Sequence, residues 1–209
     1  MEFFTEDFYD ELYSSVSQVE QVSSVELVVM IYRRSDFYIA YVLSVSFVLA
    51  LFASAYLMFS PSVFDPWFIY FASLGVLAMS FLFFFFISGA KRLIIPKKVL
   101  QRRPYVIAHS VFSQAELCNT KGRTAMLVFV SVFEKSVIVV ADKGVKEAIP
   151  KDELMKFRES IAKIFASSQP ASKLIEVILQ SKTVFAGYLP VAEDDINEIP
   201  NDLFYKIKI

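Results

Sequence analysis

The sequence predicts an α/β protein in which a small mixed β-sheet packs with helices and is interrupted by a two-helix transmembrane hairpin. Three observations lead there. Residues 37–59 and 67–90 contain no charged side chain, and each stretch is long enough, at about 1.5 Å per residue, to cross a hydrocarbon core of ~30 Å. Short runs of β-branched and apolar residues, bounded by turn formers, lie on both sides of this pair. Amphipathic helical repeats accompany those runs.

The connection Ser60-Pro-Ser-Val-Phe-Asp-Pro-Trp67 is long enough only for a tight turn, so the two spans enter and leave on the same face. Arg33 and Arg34 precede the first span; Lys91, Arg92, Lys97, Lys98, Arg102 and Arg103 follow the second; the turn holds Asp65 and no basic residue. The positive-inside rule then puts both termini in the cytoplasm. A charge at mid-span would cost about 2.5–3.5 kcal/mol, and neither span carries one. The run Phe81-Leu-Phe-Phe-Phe-Phe-Ile87 suits lipid and would be an aggregation hazard in water. The acidic start, Met1-Glu-Phe-Phe-Thr-Glu-Asp7, has no basic segment of the kind that opens a cleavable signal peptide.

Residues 5–22 read as an amphipathic helix with Thr5 as N-cap, and residues 25–32 as a strand. Neither buries its apolar face alone. After the spans comes a basic linker, 91–103; residues 97–118 contain a helix whose dependable part is 105–118, since Pro104 would start it and end whatever precedes it. Two apolar runs, 124–133 and 137–142, flank Glu134-Lys-Ser136 as a β-hairpin, and Lys143-Gly144 closes the second strand. Helices follow over 151–166 and 171–188, and an acidic, proline-punctuated tail over 191–209. Residues 1–36 and 104–190 thus form one domain, with 37–90 inserted as the hairpin; a strand over 25–32 beside one over 126–132 would join its halves.

The first strand and its surroundings, Ser24-Val-Glu-Leu-Val-Val-Met-Ile-Tyr-Arg-Arg-Ser-Asp-Phe-Tyr38, resemble the opening strand of the TPM domain family. The segment Thr120-Lys-Gly-Arg-Thr-Ala-Met-Leu-Val-Phe-Val-Ser-Val-Phe-Glu-Lys-Ser-Val-Ile-Val-Val-Ala-Asp-Lys-Gly144 resembles its characteristic hairpin, with Ala125 where the family often has Gly. The family is named for thylakoid lumen phosphatase-like proteins, photosystem II repair factors and an animal receptor modulator. The resemblance implies an α/β TPM domain, a role in assembly or quality control of a membrane complex, and, as an alternative, weak phosphatase activity.

Arg123, Glu134, Asp142 and Gly144 are the motif positions that carry charge or backbone freedom. Asp142 stands at a strand end, where a carboxylate can hold a metal or a phosphate site. The structural alternative makes it a turn residue and pairs Glu134 with Lys135 or a neighbouring strand. Gly144 is expected to take a positive φ. Glu193, Asp194, Asp195, Glu198 and Asp202 are hard oxygen donors suited to Ca²⁺, although their spacing is not that of an EF-hand loop and solvation is the simpler reading.

The six basic residues of 91–103 suit anionic headgroups, each worth about 1 kcal/mol near a surface. Without interleaved aromatics they do not read as a nucleic-acid site, and a net charge of −1 offers no global basic field. Cys118 is the single cysteine and His109 the single histidine, so neither an intrachain disulfide nor a zinc cage can form. Nine positions apart on one helix, they face different ways and make no nucleophilic pair. The spans hold only Ser and Tyr as polar residues, which disfavours a pore. The residues therefore point to a membrane-anchored module that acts by binding a membrane-protein partner, with a metal-assisted phosphatase using Asp142 as the alternative.

Overall fold

Thr5 in extended backbone precedes α1 (Glu6–Glu20) in a computed structural model that describes residues 4–114, 117, 120 and 122–191. Glu6 and Asp7 occupy the first turn of α1, where acids complement the helix dipole, and Phe8, Leu12, Val16 and Val19 form its buried stripe. Ser24 then turns the chain into β1 (Glu26–Tyr32). Ser24 donates its N–H to Leu189 O at 2.9 Å, and Ser23 bridges Pro190, so the start of β1 is tied to the end of the last helix.

The chain divides into two units, Met1–Ser35 with Gln101–Ile209, and Asp36–Leu100. The first is mixed α/β. Its three-stranded sheet runs in the order β1-β2-β3, with β2 (Ala125–Ser131) at the centre and β3 (Ser136–Ala141) at one edge. β1 and β2 are parallel, from Glu26 opposite Ala125 to Tyr32 opposite Ser131; β2 and β3 are antiparallel, from Met126 opposite Ala141 to Ser131 opposite Ser136. Every residue of β2 is buried, as suits a central strand covered on both faces by helices. A parallel pair requires a long crossover, and here that crossover includes the whole second unit.

Four further α-helices belong to this unit among the described residues: α5 (Lys97–Gln114), whose first turn belongs to the second unit, α6 (Lys143–Ala148), α7 (Lys151–Ala162) and α8 (Pro170–Tyr188). α1 packs along α8, and α7 packs on both β3 and α8. Phe157 and Phe185 meet edge to face at 5.3 Å between α7 and α8, and Tyr32 lies 4.8 Å from Phe129 across the sheet. Pro170 opens α8 at its first turn, where its missing N–H costs nothing.

In this unit three boundaries differ most from expectation. The helix expected within 97–118, its dependable part 105–118 started by Pro104, begins at Lys97 with Pro104 inside it; the proline forfeits one hydrogen bond, to Leu100 O, and residues 97–103, mostly strong helix formers, carry the helix up to it. Cys118 lies outside the described residues. The helix expected over 151–166 ends at Ala162 and tightens into a 3₁₀ turn, Ile164–Ala166. Lys143 and Gly144 do not end the hairpin as a turn but open α6, capped by Asp142.

The second unit holds α2 (Ile39–Met58) and α3 (Pro66–Phe86), the two helices among the described residues long and apolar enough to cross a membrane by length and composition. Asp65 caps α3 by accepting the Trp67 N–H at 2.8 Å, with Pro66 at the first helical position. No residue of α3 is buried, and large apolar side chains such as Phe52, Phe71 and Phe86 are exposed. The two helices pack together; Ser54 Oγ donates to Ser73 Oγ at 2.6 Å, and Ser73 Oγ to Ile69 O at 2.7 Å. Where a span to residue 90 was expected, Ile87 leaves helical geometry (ψ 98°) and a separate helix, α4 (Ser88–Ile94), follows.

Candidate functional site

The four motif residues do not converge. Arg123, Asp142 and Gly144 share one end of the hairpin, and Glu134 stands at the other, separated by the six residues of β3, roughly 20 Å of strand.

At the first end, Arg123 Nε and Nη2 donate to the two oxygens of Asp142 at 3.2 and 3.0 Å. Asp142 Oδ1 also accepts the Lys143 N–H at 2.7 Å, capping α6. The carboxylate is buried and the guanidinium half exposed, so the pair is worth about 1 kcal/mol after screening. Arg123 holds this position in the left-handed region (φ 50°), an uncommon conformation for a residue with a Cβ. Gly144 takes no positive φ, contrary to expectation; its need is room. Its N–H donates to Arg123 O at 3.0 Å, and a Cβ there would fall 2.2 Å from Gly122 O. Asp142 is thus committed to a cation and a helix start. Among the described residues no group of three or more His, Cys, Asp or Glu gathers around it or elsewhere to hold a metal. Glu193, Asp194, Asp195, Glu198 and Asp202 lie outside the described residues.

At the second end, Glu134 is buried. Its Oε1 accepts the Ser35 N–H at 2.9 Å, and its Oε2 accepts the Ser131 hydroxyl. Because Ser131 donates to Glu134, Ser35 Oγ is the donor in its 2.8 Å bond to Ser131 Oγ. Val132 N–H to Tyr32 O (2.9 Å) and Phe133 N–H to Arg33 O (3.0 Å) extend the parallel ladder to the same place. This is a structural clamp between the residue that leads toward α2 and the hairpin turn.

The basic segment is not uniform. Lys97, Lys98, Arg102 and Arg103 are exposed and Arg92 half-buried. Lys91 is buried instead, its Nζ 4.7 Å above the Phe85 ring, since a long apolar stem packs well and an ammonium is attracted to an aromatic face.

A groove of about 480 Å³ runs along β3 and was not foreseen from sequence. Residues 137–141 form its floor, and Tyr105, His109, Lys146, Arg158 and Ala162 its walls. Alternate strand residues face opposite sides of a sheet, so five consecutive lining residues mean that the groove follows the strand's outer edge. Asp142 N–H donates to Ala125 O at 2.9 Å. Antiparallel alternation then turns Ile138 and Val140 toward β2, and points the N–H and C=O of Val137, Val139 and Ala141 outward. No other described element bonds to those outward groups. Arg158 Nε, in the wall, is buried without a hydrogen-bond partner among the described residues. His109 Nδ1 lies 2.9 Å from Tyr105 O, and a carbonyl only accepts, so Nδ1 carries a proton and a neutral ring presents Nε2 as an acceptor. The signal available in sequence was β3 itself, six residues with no later strand among the described residues to pair its far side.

No family model and no curated protein matches the sequence. Among solved structures, the NMR structure of the BA42 protein from the psychrophilic bacterium Bizionia argentinensis is similar, at 18% identity over 95% of this chain and 92% of that one, with a TM-score of 0.57. That likeness is one of fold.

Proposed function

We propose that the chain is a membrane-anchored, TPM-like module of the bacterial inner membrane. In this reading α2 and α3 cross the bilayer as a hairpin, both termini are cytoplasmic, and the α/β unit binds a membrane-protein partner during assembly or quality control of a complex. The observation that carries it is the parallel pairing of β1 with β2, strands that lie on opposite sides of the two apolar helices in sequence. Such pairing is possible only if both flanks occupy one compartment, as a hairpin requires. The exposed apolar surface of α3, with no buried residue, supports lipid contact. The outward backbone groups of β3 support binding, since an open sheet edge offers main-chain hydrogen bonds to an extended segment of another protein.

Single cysteines in a Cys118→Ser background test the topology. Glu2→Cys and Lys208→Cys react with an impermeant maleimide only after the inner face is opened, and Ser62→Cys reacts from outside. Labelling of Glu2→Cys and Lys208→Cys from opposite sides ends the reading. A photo-crosslinker at Val139 in native membranes tests the binding role: one reproducible membrane protein is expected, and its absence in both the full chain and a chain ending at Asp202 counts against a partner on β3.

A further inference from the structure

We infer that the outer edge of β3 receives an extended, acidic segment of a partner protein, paired through its main chain and fixed by a carboxylate on Arg158 and Lys146. The inference rests on the reading of β3 as a binding edge and adds the chemistry of what binds there.

The cations near the groove are not equivalent. Lys143 pairs with Glu147 at 3.6 Å and Lys156 with Glu153 at 2.7 Å, each pair within one helix. Lys146 and Arg158, which line the groove, make no ion pair among the described residues. Lys146 is exposed, while Arg158 has its Nε buried without a hydrogen-bond partner among the described residues. A guanidinium N–H taken out of water is ordinarily satisfied. A carboxylate is the acceptor whose two oxygens match the guanidinium fork. No Asp or Glu lines the groove, so the acid has to come from the occupant.

Backbone geometry selects an extended occupant. Val137, Val139 and Ala141 turn their N–H and C=O groups outward, and the five lining residues of β3 run about 17 Å. A segment paired along them sends alternate side chains to opposite faces of the sheet. α7 packs on β3, and Arg158 and Ala162, four apart, share one face of α7. The acid therefore belongs among the occupant's side chains on the face that α7 covers. Apolar or β-branched residues suit the positions beside Ile138 and Val139, which are half-buried. A second copy of this chain is the poorer occupant, because edge-to-edge pairing brings two more cations and no acid from its own groove.

Two peptides test the inference on the full chain in detergent: acetylated and amidated Thr-Glu-Val-Glu-Val-Glu-Thr, and its counterpart with Lys for every Glu. The acidic peptide should bind and slow hydrogen exchange at the Val137, Val139 and Ala141 amides. The basic peptide should bind about tenfold or more weaker. Arg158→Gln should weaken the acidic peptide about tenfold, and Arg158→Lys and Lys146→Gln by less, with exchange in β1 and β2 unchanged in all three. Methylating alternate backbone nitrogens of the acidic peptide keeps its charge and removes its donors; in one of the two phases of alternation it should abolish binding. Equal affinity for the two peptides, undiminished binding to Arg158→Gln, no slowing at the three amides, or Val139 crosslinks only between copies overturns it. The two readings fail separately. A membrane protein captured at Val139 equally by the parent and by Arg158→Gln leaves the edge and removes the acid. Peptide binding as expected without any captured membrane protein leaves the acidic recognition and removes that partner.

Discussion

Ser35 gives its backbone N–H to Glu134 at 2.9 Å across 99 positions of sequence. The bond closes the interval between the end of β1 and the hairpin turn, and Ser131 adds its hydroxyl to the same carboxylate. Removing a buried acceptor leaves its donors unsatisfied, at roughly 1–3 kcal/mol for the group. Glu134→Ala should therefore destabilise the α/β unit by about 2–3 kcal/mol and speed exchange of the Ser35 amide. Glu134→Gln, which keeps one carbonyl acceptor, should lose less. Equal melting temperatures for the three proteins would show that the clamp carries no stability.

Gly144 and Gly122 offer a paired test of crowding. A Cβ on residue 144 meets backbone oxygen at 2.2 Å, and backbone cannot swing aside. Gly144→Ala should cost about 2–3 kcal/mol, the range of an overpacked site. At residue 122 the nearest atom is Thr124 Cγ2 at 3.2 Å, part of a side chain that can yield. Gly122→Ala should cost less than Gly144→Ala in chemical denaturation.

Asp142 has a double task, and its variants should separate it. Asp142→Asn retains a capping oxygen for the Lys143 N–H but loses the charge toward Arg123; Asp142→Ala loses both. The expected losses are about 1 kcal/mol and about 2 kcal/mol. Only the part due to Arg123 should shrink at high salt, which a denaturation series at two ionic strengths reads directly.

Glu20 supplies a pH dependence. Burial, then the nearby Glu26 carboxylate, raise its pKa to about 7, while the Leu27 N–H it accepts acts in the opposite sense. A carboxyl with a folded pKa above its unfolded one binds more protons when folded. Its contribution is most favourable below about pH 4.5 and is lost as pH rises through about 7. At pH 8, Glu20→Gln should thus be more stable than the parent, by no more than about 2 kcal/mol once screening is allowed for. At pH 4 the advantage should vanish. Thermal melts of both proteins across that interval check the sign.

Local pattern made much of the fold legible. The uncharged runs marked α2 and α3, β-branched runs marked β1, β2 and β3, and Phe8, Leu12 and Val19 marked the buried face of α1. Pro104 misled because a proline well suited to start a helix sits, in this chain, inside one. Ile87 misled because an apolar residue that breaks a helix looks, in sequence, like one that continues it. The candidate site was the least legible part. Glu134 and Ser35 are far apart in the chain, Gly144 is constrained by backbone from another turn, and the groove joins α5, α6, α7 and β3. Those relations are set by packing between distant segments, which no local spacing encodes.

The register that sets Glu26 opposite Ala125 has a consequence for biosynthesis. At about 5–20 residues per second, β1 leaves the ribosome roughly 5–20 s before β2 exists to receive it. For that interval a buried-type strand, Leu27-Val-Val-Met-Ile31, has no neighbour, while the apolar helices that follow it are still being made. The nascent chain must be shielded through this delay, so the yield of folded protein should depend on holding chaperones more than on the stability of the finished sheet.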